Sequence, residues 1–274
     1  MKIIKKELSP DYGAFGLPVP EKKAVLTCMV HDTQPERSFG GMLVIPGGSY
    51  EKCSKREGEP CAVRFYSHGF NAFVLEYSVV KKPFPTALLE LCEAVRFIRE
   101  NRTELCMTDF LCVTGFSAGG HLAASLGAYH DSDIVGAYRG KVTPDRLILC
   151  YPVITSGEYT HSLSAANIAP DEETKELISI EKHIGKGFPP SFIWHCADDR
   201  TVPVMNSLLL AEELSGQGIP YEMHIFPKGG HALAMCDTTT VRDEDYERFV
   251  VPHNARWAEL ALEWLEKAQA EKQY

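Results

Sequence analysis

"CVTGFSAGGHLAASLG", residues 112–127, sets an apolar run against a run of helical character, with a lone serine between glycines at the junction. Two readings compete for it. In one, the glycines make a tight strand-to-helix turn and Ser117 merely caps the helix. In the other, the turn holds Ser117 strained and exposed, so that its hydroxyl attacks a substrate. Residues 115–119, GFSAG, fit the pattern G-x-S-x-G. Glycines beside the serine let neighbouring backbone approach where a side chain would collide. The rest of the chain has to decide between the two.

Outward from that junction the same alternation continues. Residues 24–30 (AVLTCMV), 41–46 (GMLVIP), 71–77 (NAFVLEY), 110–115 (FLCVTG), 146–153 (RLILCYPV), 191–196 (SFIWHC) and 221–226 (YEMHIF) read as strands. Several are apolar at nearly every position, as in central strands covered on both faces. Between them, residues 86–101 place Leu88, Leu91, Val95 and Ile98 on one helical face. Residues 206–218 carry a similar pattern and end in Gly216 and Gly218, residues suited to a helix C-terminus. Residues 254–269 space Trp257, Leu260, Trp264 and Leu265 as a packing stripe.

This pattern predicts an α/β fold with a mostly parallel central sheet and helices on both faces. Neither a repeat nor a linker divides residues 1–274, so one domain is expected. Residues 156–190 break the rhythm with a polar stretch, PDEETKEL as a short helix and GKGFPP closing it. Insertions of that length beside a site often act as lids or caps, and contact with the site is expected here.

Composition narrows the class. The chain has 274 residues, 45% hydrophobic and 24% charged, ordinary for a globular protein. Its formal net charge of −9 argues against a nucleic-acid partner, which needs a positive surface. Nine cysteines include no C-x-x-C pair, and Cys28, Cys112, Cys150 and Cys196 sit in apolar runs. A disulfide framework or a metal site is therefore not expected, and a reducing compartment fits. The N-terminal MKIIKKELSPDYGAFG is basic without the apolar stretch of a signal peptide. No run reaches the ~18 apolar residues of a membrane span. A cytoplasmic protein with no membrane partner is the expectation, and a homo-oligomer stays open.

A serine hydroxyl needs a base, and the base needs an orienting group. In the α/β-hydrolase arrangement these follow as Ser, then Asp or Glu, then His. WHCADDRTVP (194–203) and FPKGGHALA (226–234) each follow a predicted strand, where loops at strand carboxyl ends carry catalytic groups. His231 is the best base, because Gly229 and Gly230 free its loop to aim the ring at Ser117. His224 and His195 lie in or at the end of strands, where packing or a hydrogen bond explains each more simply. His121, one helical turn past the serine, reads as a satisfied helix histidine, with a supporting role beside the site as the alternative. Asp198 and Asp199 compete for the orienting role, and spacing does not choose. The oxyanion needs donors: the N–H of Ala118, and one from Pro46-Gly47-Gly48-Ser49, which looks like an HGGG-type loop. By adjacency, Tyr50 walls the acyl pocket. Arg56 and Glu57 either bind substrate or pair with each other to brace the oxyanion loop, and bracing is the preferred expectation.

Together IPGGSY…SKREGEP, GFSAGGHLAASLG, PPSFIWHCADDRTVPVMNSLLLAEEL and GIPYEMHIFPKGGHALA resemble, in that order, α/β-hydrolase-fold esterases of the carbohydrate acetylesterase and acetylxylan esterase type. These are grouped with feruloyl-esterase-like and dienelactone-hydrolase-like proteins, and the resemblance spans about residues 40–265. It implies Ser117 as nucleophile, His231 as base and Asp198 as acid, the last from the related DDR-x-VP pattern. Gly48 or Ser49, with Ala118, would supply the oxyanion hole. Ser49 stands where many relatives have a third glycine, and Cys196 where threonine is common. The resemblance implies a short-acyl, mainly acetyl, ester of a small carbohydrate as substrate, with no metal or organic cofactor. The rivals are a serine peptidase of the prolyl-oligopeptidase kind and a non-catalytic binding scaffold. The first usually carries a large additional domain, and the second typically loses a triad member.

Overall fold

Eight runs of apolar or β-branched residues pair into one sheet: β1 (Lys2–Glu7), β2 (Val25–Val30), β3 (Phe39–Ile45), β4 (Phe70–Glu76), β5 (Met107–Phe116), β6 (Arg146–Cys150), β7 (Ser191–Cys196) and β8 (Tyr221–Phe226). The structure, a computed structural model, describes residues 1–32, 37–241 and 243–271. The strand order is β1-β2-β4-β3-β5-β6-β7-β8. β2 is antiparallel to both β1 and β4, and the pairings from β4 to β8 are parallel. β1 is absent from the strands the sequence predicts. Its alternation is hidden because this edge strand is mostly exposed, KIIKKE, with little hydrophobic signal to read.

The helices are α1 (Glu59–Tyr66), α2 (Thr86–Glu100), α3 (Ala118–Tyr129), α4 (Ser162–Ile168), α5 (Glu172–Leu177), α6 (Met205–Gln217), α7 (Tyr246–Phe249), α8 (Pro252–Ala255) and α9 (Trp257–Glu271). Successive strand side chains point to opposite faces, and in the central strands β3 to β7 both faces are largely buried, which is why those strands read as apolar runs. Leu43, Ile45, Leu111, Val113 and Leu147 join the side chains of α2 and α3 on one face. Met42, Val44, Cys112, Ile148 and Trp194 join those of α1 and α9 on the other. There the Trp194 and Trp257 rings stack with centroids 5.2 Å apart, so the C-terminal stripe is core packing. The expected helix at 254–269 is split, with α8 ending at Ala255 and α9 beginning at Trp257.

This topology positions the site. From β3 the chain returns to β4 on one side, and β5 then adds on the other side of β3, making a switch point between β3 and β5. The loops leaving the carboxyl ends of those two strands therefore face each other across a crevice, the place where open α/β sheets bind ligands. The β3 loop carries Gly47–Tyr50, and the β5 end carries Ser117. Residues 156–190 form an excursion between β6 and β7 that holds α4 and α5. Among the described residues, no helix is long and apolar enough to cross a membrane.

Candidate active site

At the end of β5 the backbone turns sharply, and Ser117 takes φ 53° and ψ −116° just before α3. A non-glycine residue held there costs on the order of 1–3 kcal/mol and persists only when its surroundings enforce it. They do: Ser117 N–H donates to Cys150 O at 2.9 Å, and Val153 N–H donates to Ser117 O at 3.2 Å. Glycine is needed on both sides. A Cβ on Gly115 would run into the backbone of Gly119, and one on Gly119 into the carbonyl oxygens of Ile45 and Pro46. The capping reading of Ser117 fails, because its side chain makes no cap hydrogen bond.

That hydroxyl instead lies 2.8 Å from His231 Nε2, and His231 Nδ1 lies 2.5 Å from Asp199 Oδ2. An ionised carboxylate only accepts, so Nδ1 carries the proton and Nε2 is left to accept from Ser117. Burial alone would raise the Asp199 pKa. Hydrogen bonds from His195 and His231, the His231 charge and the Val202 N–H outweigh it, holding the carboxyl below the usual carboxylate range. Asp199 Oδ1 also accepts the N–H groups of Thr201 and Val202, both at 2.9 Å.

This geometry corrects the choice of Asp198. Its Oδ1 accepts the Gly230 N–H at 2.9 Å and it remains exposed, while the Asp199 side chain is fully buried against the imidazole. The turn closed by Asp199 N–H on Cys196 O sends the two neighbouring side chains in different directions. The first aspartate steadies the histidine loop and the second meets the ring. His195 is buried and held by hydrogen bonds, as a strand-end histidine is expected to be, and it stands 3.3 Å from Asp199 Oδ2. It donates from Nε2 to Val202 O at 2.9 Å and accepts at Nδ1 from Ser207 Oγ at 2.8 Å. The available signal is its place one residue before the acid loop's Cys196.

Opposite the histidine lies the β3 loop. A Cβ on Gly47 would come within 2.9 Å of the Ser117 Cβ, so the loop is packed directly on the elbow. Glu57 Oε2 accepts the Gly47 N–H at 3.0 Å. Among the described residues, the N–H groups of Gly48, Ser49 and Ala118 have no protein acceptor. Gly48, Ser49 and Tyr50 run at φ 123°, 60° and 56°, a left-handed stretch with two non-glycine residues. Tyr50 does not present its hydroxyl to a substrate: it is 3% exposed, with the hydroxyl 2.8 Å from His121 Nδ1.

Arg56 and Glu57 do not pair with each other. The Glu57 carboxylate is buried, and its Oε1 accepts the Tyr151 hydroxyl at 2.8 Å. The Tyr151 oxygen accepts the Ala234 N–H at 2.9 Å, which links the β3 loop to the histidine loop. Arg56 turns away, donating from Nε to Thr240 O at 2.6 Å and lying over the Phe249 ring. Tyr151 has no sequence signal beyond following a strand. The excursion 156–190 does reach the site: Asn167 Nδ2 donates to Ser49 O at 2.9 Å. His161, half-buried, has its pKa lowered by burial and by the His231 charge, against an upward pull from Asp199. A separate groove of about 950 Å³ runs along β1, β2 and β4, but neither Ser117 nor His231 lines it.

Comparison with known proteins places this geometry among hydrolases. Residues 89–256 match the model of the prolyl oligopeptidase family, and residues 30–146 match that of BD-FAE. Endo-1,4-beta-xylanase B of Butyrivibrio fibrisolvens is 40% identical over 265 residues, covering 83% of this chain and 40% of its own length. The acetylxylan esterase of Xylanibacter ruminicola is 27% identical over 225 residues, covering 77% of this chain and 44% of its own. The chain thus spans less than half the length of either curated relative. An acetyl ester-xyloside bifunctional hydrolase from Caldicellulosiruptor lactoaceticus superposes with a TM-score of 0.79 at 32% identity, over 91% of this chain and 90% of that one.

Proposed function

The chain belongs to the prolyl oligopeptidase family, and on that footing we propose that it is a serine carboxylesterase removing a short acyl group, acetyl foremost, from a small carbohydrate or related ester. The observation that carries this reading is the unbroken relay from Ser117 Oγ through His231 to Asp199, at 2.8 and 2.5 Å. The β3 loop packs against this serine, a Cβ on Gly47 coming within 2.9 Å of the Ser117 Cβ. The small-acyl and carbohydrate parts draw support from relatives whose names include acetylxylan esterase and acetyl ester-xyloside hydrolase.

In the proposed cycle Ser117 Oγ bonds to the ester carbonyl carbon as its proton passes to His231 Nε2. The carbonyl π electrons move onto oxygen, which takes hydrogen bonds from Ala118 N–H and from Gly48 or Ser49 N–H. Collapse breaks the carbon–oxygen bond to the sugar, and Nε2 returns the proton to that leaving oxygen. Water then attacks the acyl-enzyme with the same proton traffic, freeing the acid and Ser117. Asp199 keeps the ring in the productive tautomer and offsets its charge while it is imidazolium.

The test is hydrolysis of 4-nitrophenyl esters from acetate to octanoate, with a fluorophosphonate label located by mass spectrometry. Fast turnover of the shortest esters with the label on Ser117 is expected. No turnover and no label would overturn the reading. The match to the prolyl oligopeptidase family over residues 89–256 favours a second reading, peptide hydrolysis by the same serine. Aminoacyl 4-nitroanilides run beside the esters decide it, and turnover of the anilides above the acetate ester would favour the peptidase.

A further inference from the structure

We propose that Tyr50 and Asn167 are positioning residues that hold the Gly48–Ser49 N–H donors toward Ser117, so that the excursion 156–190 acts as a fixed brace of the oxyanion hole. This inference rests on the esterase reading above.

The turn from Gly48 to Glu51 is closed by Glu51 N–H on Gly48 O at 2.9 Å. Its two central residues, Ser49 and Tyr50, both have positive φ. That geometry normally calls for Asn or Gly, because a Cβ collides there with the backbone. A serine and a tyrosine stay in it only if other contacts enforce the shape. Tyr50 has such contacts. Its ring packs edge-on against Tyr77 and His121, with centroids 5.7 and 5.8 Å away. Its carbonyl accepts the Val80 N–H at 2.8 Å.

The hydroxyl of Tyr50 completes a defined relay. His121 Nε2 can only donate to the Ile178 carbonyl, 2.9 Å away, so its Nδ1 is unprotonated and accepts from the Tyr50 hydroxyl. His121 belongs to α3, the helix that begins at the nucleophile, and Ile178 belongs to the excursion. Asn167, also in the excursion, donates to the Ser49 carbonyl. One peptide carries that carbonyl and the Tyr50 N–H, so fixing it fixes the turn that aims the Ser49 N–H. The excursion is itself pinned to the core, by Ile180 N–H on Ile154 O at 2.9 Å and Phe84 N–H on Ile168 O at 2.8 Å. A segment tied at these points is built to stay, whereas a lid must leave.

The experiment compares the full chain with Tyr50→Phe and Asn167→Ala. The readouts are kcat and KM on 4-nitrophenyl acetate and butyrate, with rates taken per Ser117 titrated by the fluorophosphonate. Affinity for a boronic acid, which forms a tetrahedral adduct on the serine, is measured alongside. An oxyanion contact exists mainly in the transition state, so its loss lowers kcat and leaves KM alone. We expect kcat per titrated site to fall about tenfold in each variant, less than the hundredfold or more for deleting a donor outright. KM should stay within about twofold, the loss should be the same for acetate and butyrate, and boronate affinity should fall by the same factor as kcat/KM. Unchanged kcat in both variants overturns the proposal, as does a chain-length-dependent rise in KM, which would make Tyr50 a wall of the acyl pocket. If Tyr50→Phe fails to fold, Asn167→Ala alone decides by the same readouts. Absent turnover in the unmodified chain would instead sink the esterase reading, and this inference with it.

Discussion

The two loops that flank Ser117 are built on different principles. On the histidine side, the loops after β7 and β8 bring side chains to the chemistry: the His231 ring and the Asp199 carboxylate meet at 2.5 Å. On the other side, the loop after β3 would bring backbone N–H groups in the proposed cycle, and two of its side chains hold the loop in shape. Glu57 holds Gly47, and Tyr50 holds on to His121. A motif names the residues of the first kind of loop, since the chemistry needs those side chains. In the second kind, the residues that matter are the ones that fix a backbone, and any side chain with the right reach can serve.

The largest expected effect separates the two aspartates on the side-chain loop. Asp199→Asn keeps the shape but removes the charge, and it lets the imidazole adopt the wrong tautomer. A fall in kcat of about 10⁴-fold is expected for such a change. Steady-state kinetics on 4-nitrophenyl acetate measure it, and a fall under about tenfold would mean that the buried carboxylate is structural. The titration of this group has a sign as well. Its folded pKa is depressed, so its contribution to stability is present above the ordinary carboxylate value and is lost as pH falls below that value, through the depressed folded pKa.

On the backbone-built side, the corresponding group is a histidine that must stay neutral. Burial pushes the His121 pKa down to about 4 from an ordinary 6.5. Between those values the unfolded chain binds a proton that the folded chain refuses, so stability rises with pH across that window. Going down it, about 3 kcal/mol is lost, at 1.36 kcal/mol per pKa unit. Urea unfolding of the wild type and of His121→Asn at pH 7, 5 and 4 checks this. The wild type should lose stability more steeply, and parallel curves would break the claim that His121 is held neutral by the fold.

Glu57 is where the two sides are joined, through Tyr151 to Ala234. Glu57→Gln keeps one acceptor and loses the other, so about 2 kcal/mol of stability should go, as for a buried hydrogen bond to a charged group. Because Gly47 and Ala234 are tied to one carboxylate, both loops should loosen together. Amide hydrogen exchange would show faster exchange at Gly47 and at Ala234, and protection lost on only one side would mean that the loops are independent.

Much of this is legible in the sequence, for physical reasons that differ by residue. Ser117 announces itself because a tight strand-to-helix turn needs glycines at fixed offsets, and His231 because it follows a strand with glycines before it. Central strands such as β6 and β7 show because both faces are covered, whereas β1, exposed along the edge, leaves no pattern. Glu57 draws attention, yet its neighbour misleads: adjacent charges in sequence suggest a pair with Arg56, while the 3₁₀ turn that holds them sends one inward and the other to Thr240. His121 reads as a satisfied helix histidine and is one, but what satisfies it is 71 residues away in Tyr50. Asn167 carries no local signal, since its partner is a carbonyl reached only once β3 and the excursion are folded together.

Asp198 and Asp199 are the hardest case, because they are identical in chemistry and adjacent in sequence, and the DDR-x-VP resemblance points to the wrong one. The geometry gives Asp198 a smaller part, in which its Oδ1 takes the Gly230 N–H at 2.9 Å, one residue before His231. Gly230 sits at φ 67°, and Gly229 at φ 144°, so this stretch lacks the stiffness of an ordinary backbone and depends on outside anchors. Asp198→Ala removes one exposed anchor worth about 1 kcal/mol. It should lower kcat by only a fewfold, through a less well-aimed imidazole, and Asp198→Asn, which keeps the acceptor, should restore most of it. Rescue by asparagine at 198 but not at 199 would separate the two roles cleanly. The first aspartate needs only a lone pair facing an N–H, while the second needs a charge facing a ring that becomes charged in the reaction. If Asp198→Asn were instead as damaging as Asp199→Asn, the side-chain loop would be working as a pair of carboxylates, and its contrast with the backbone-built loop would be sharper still.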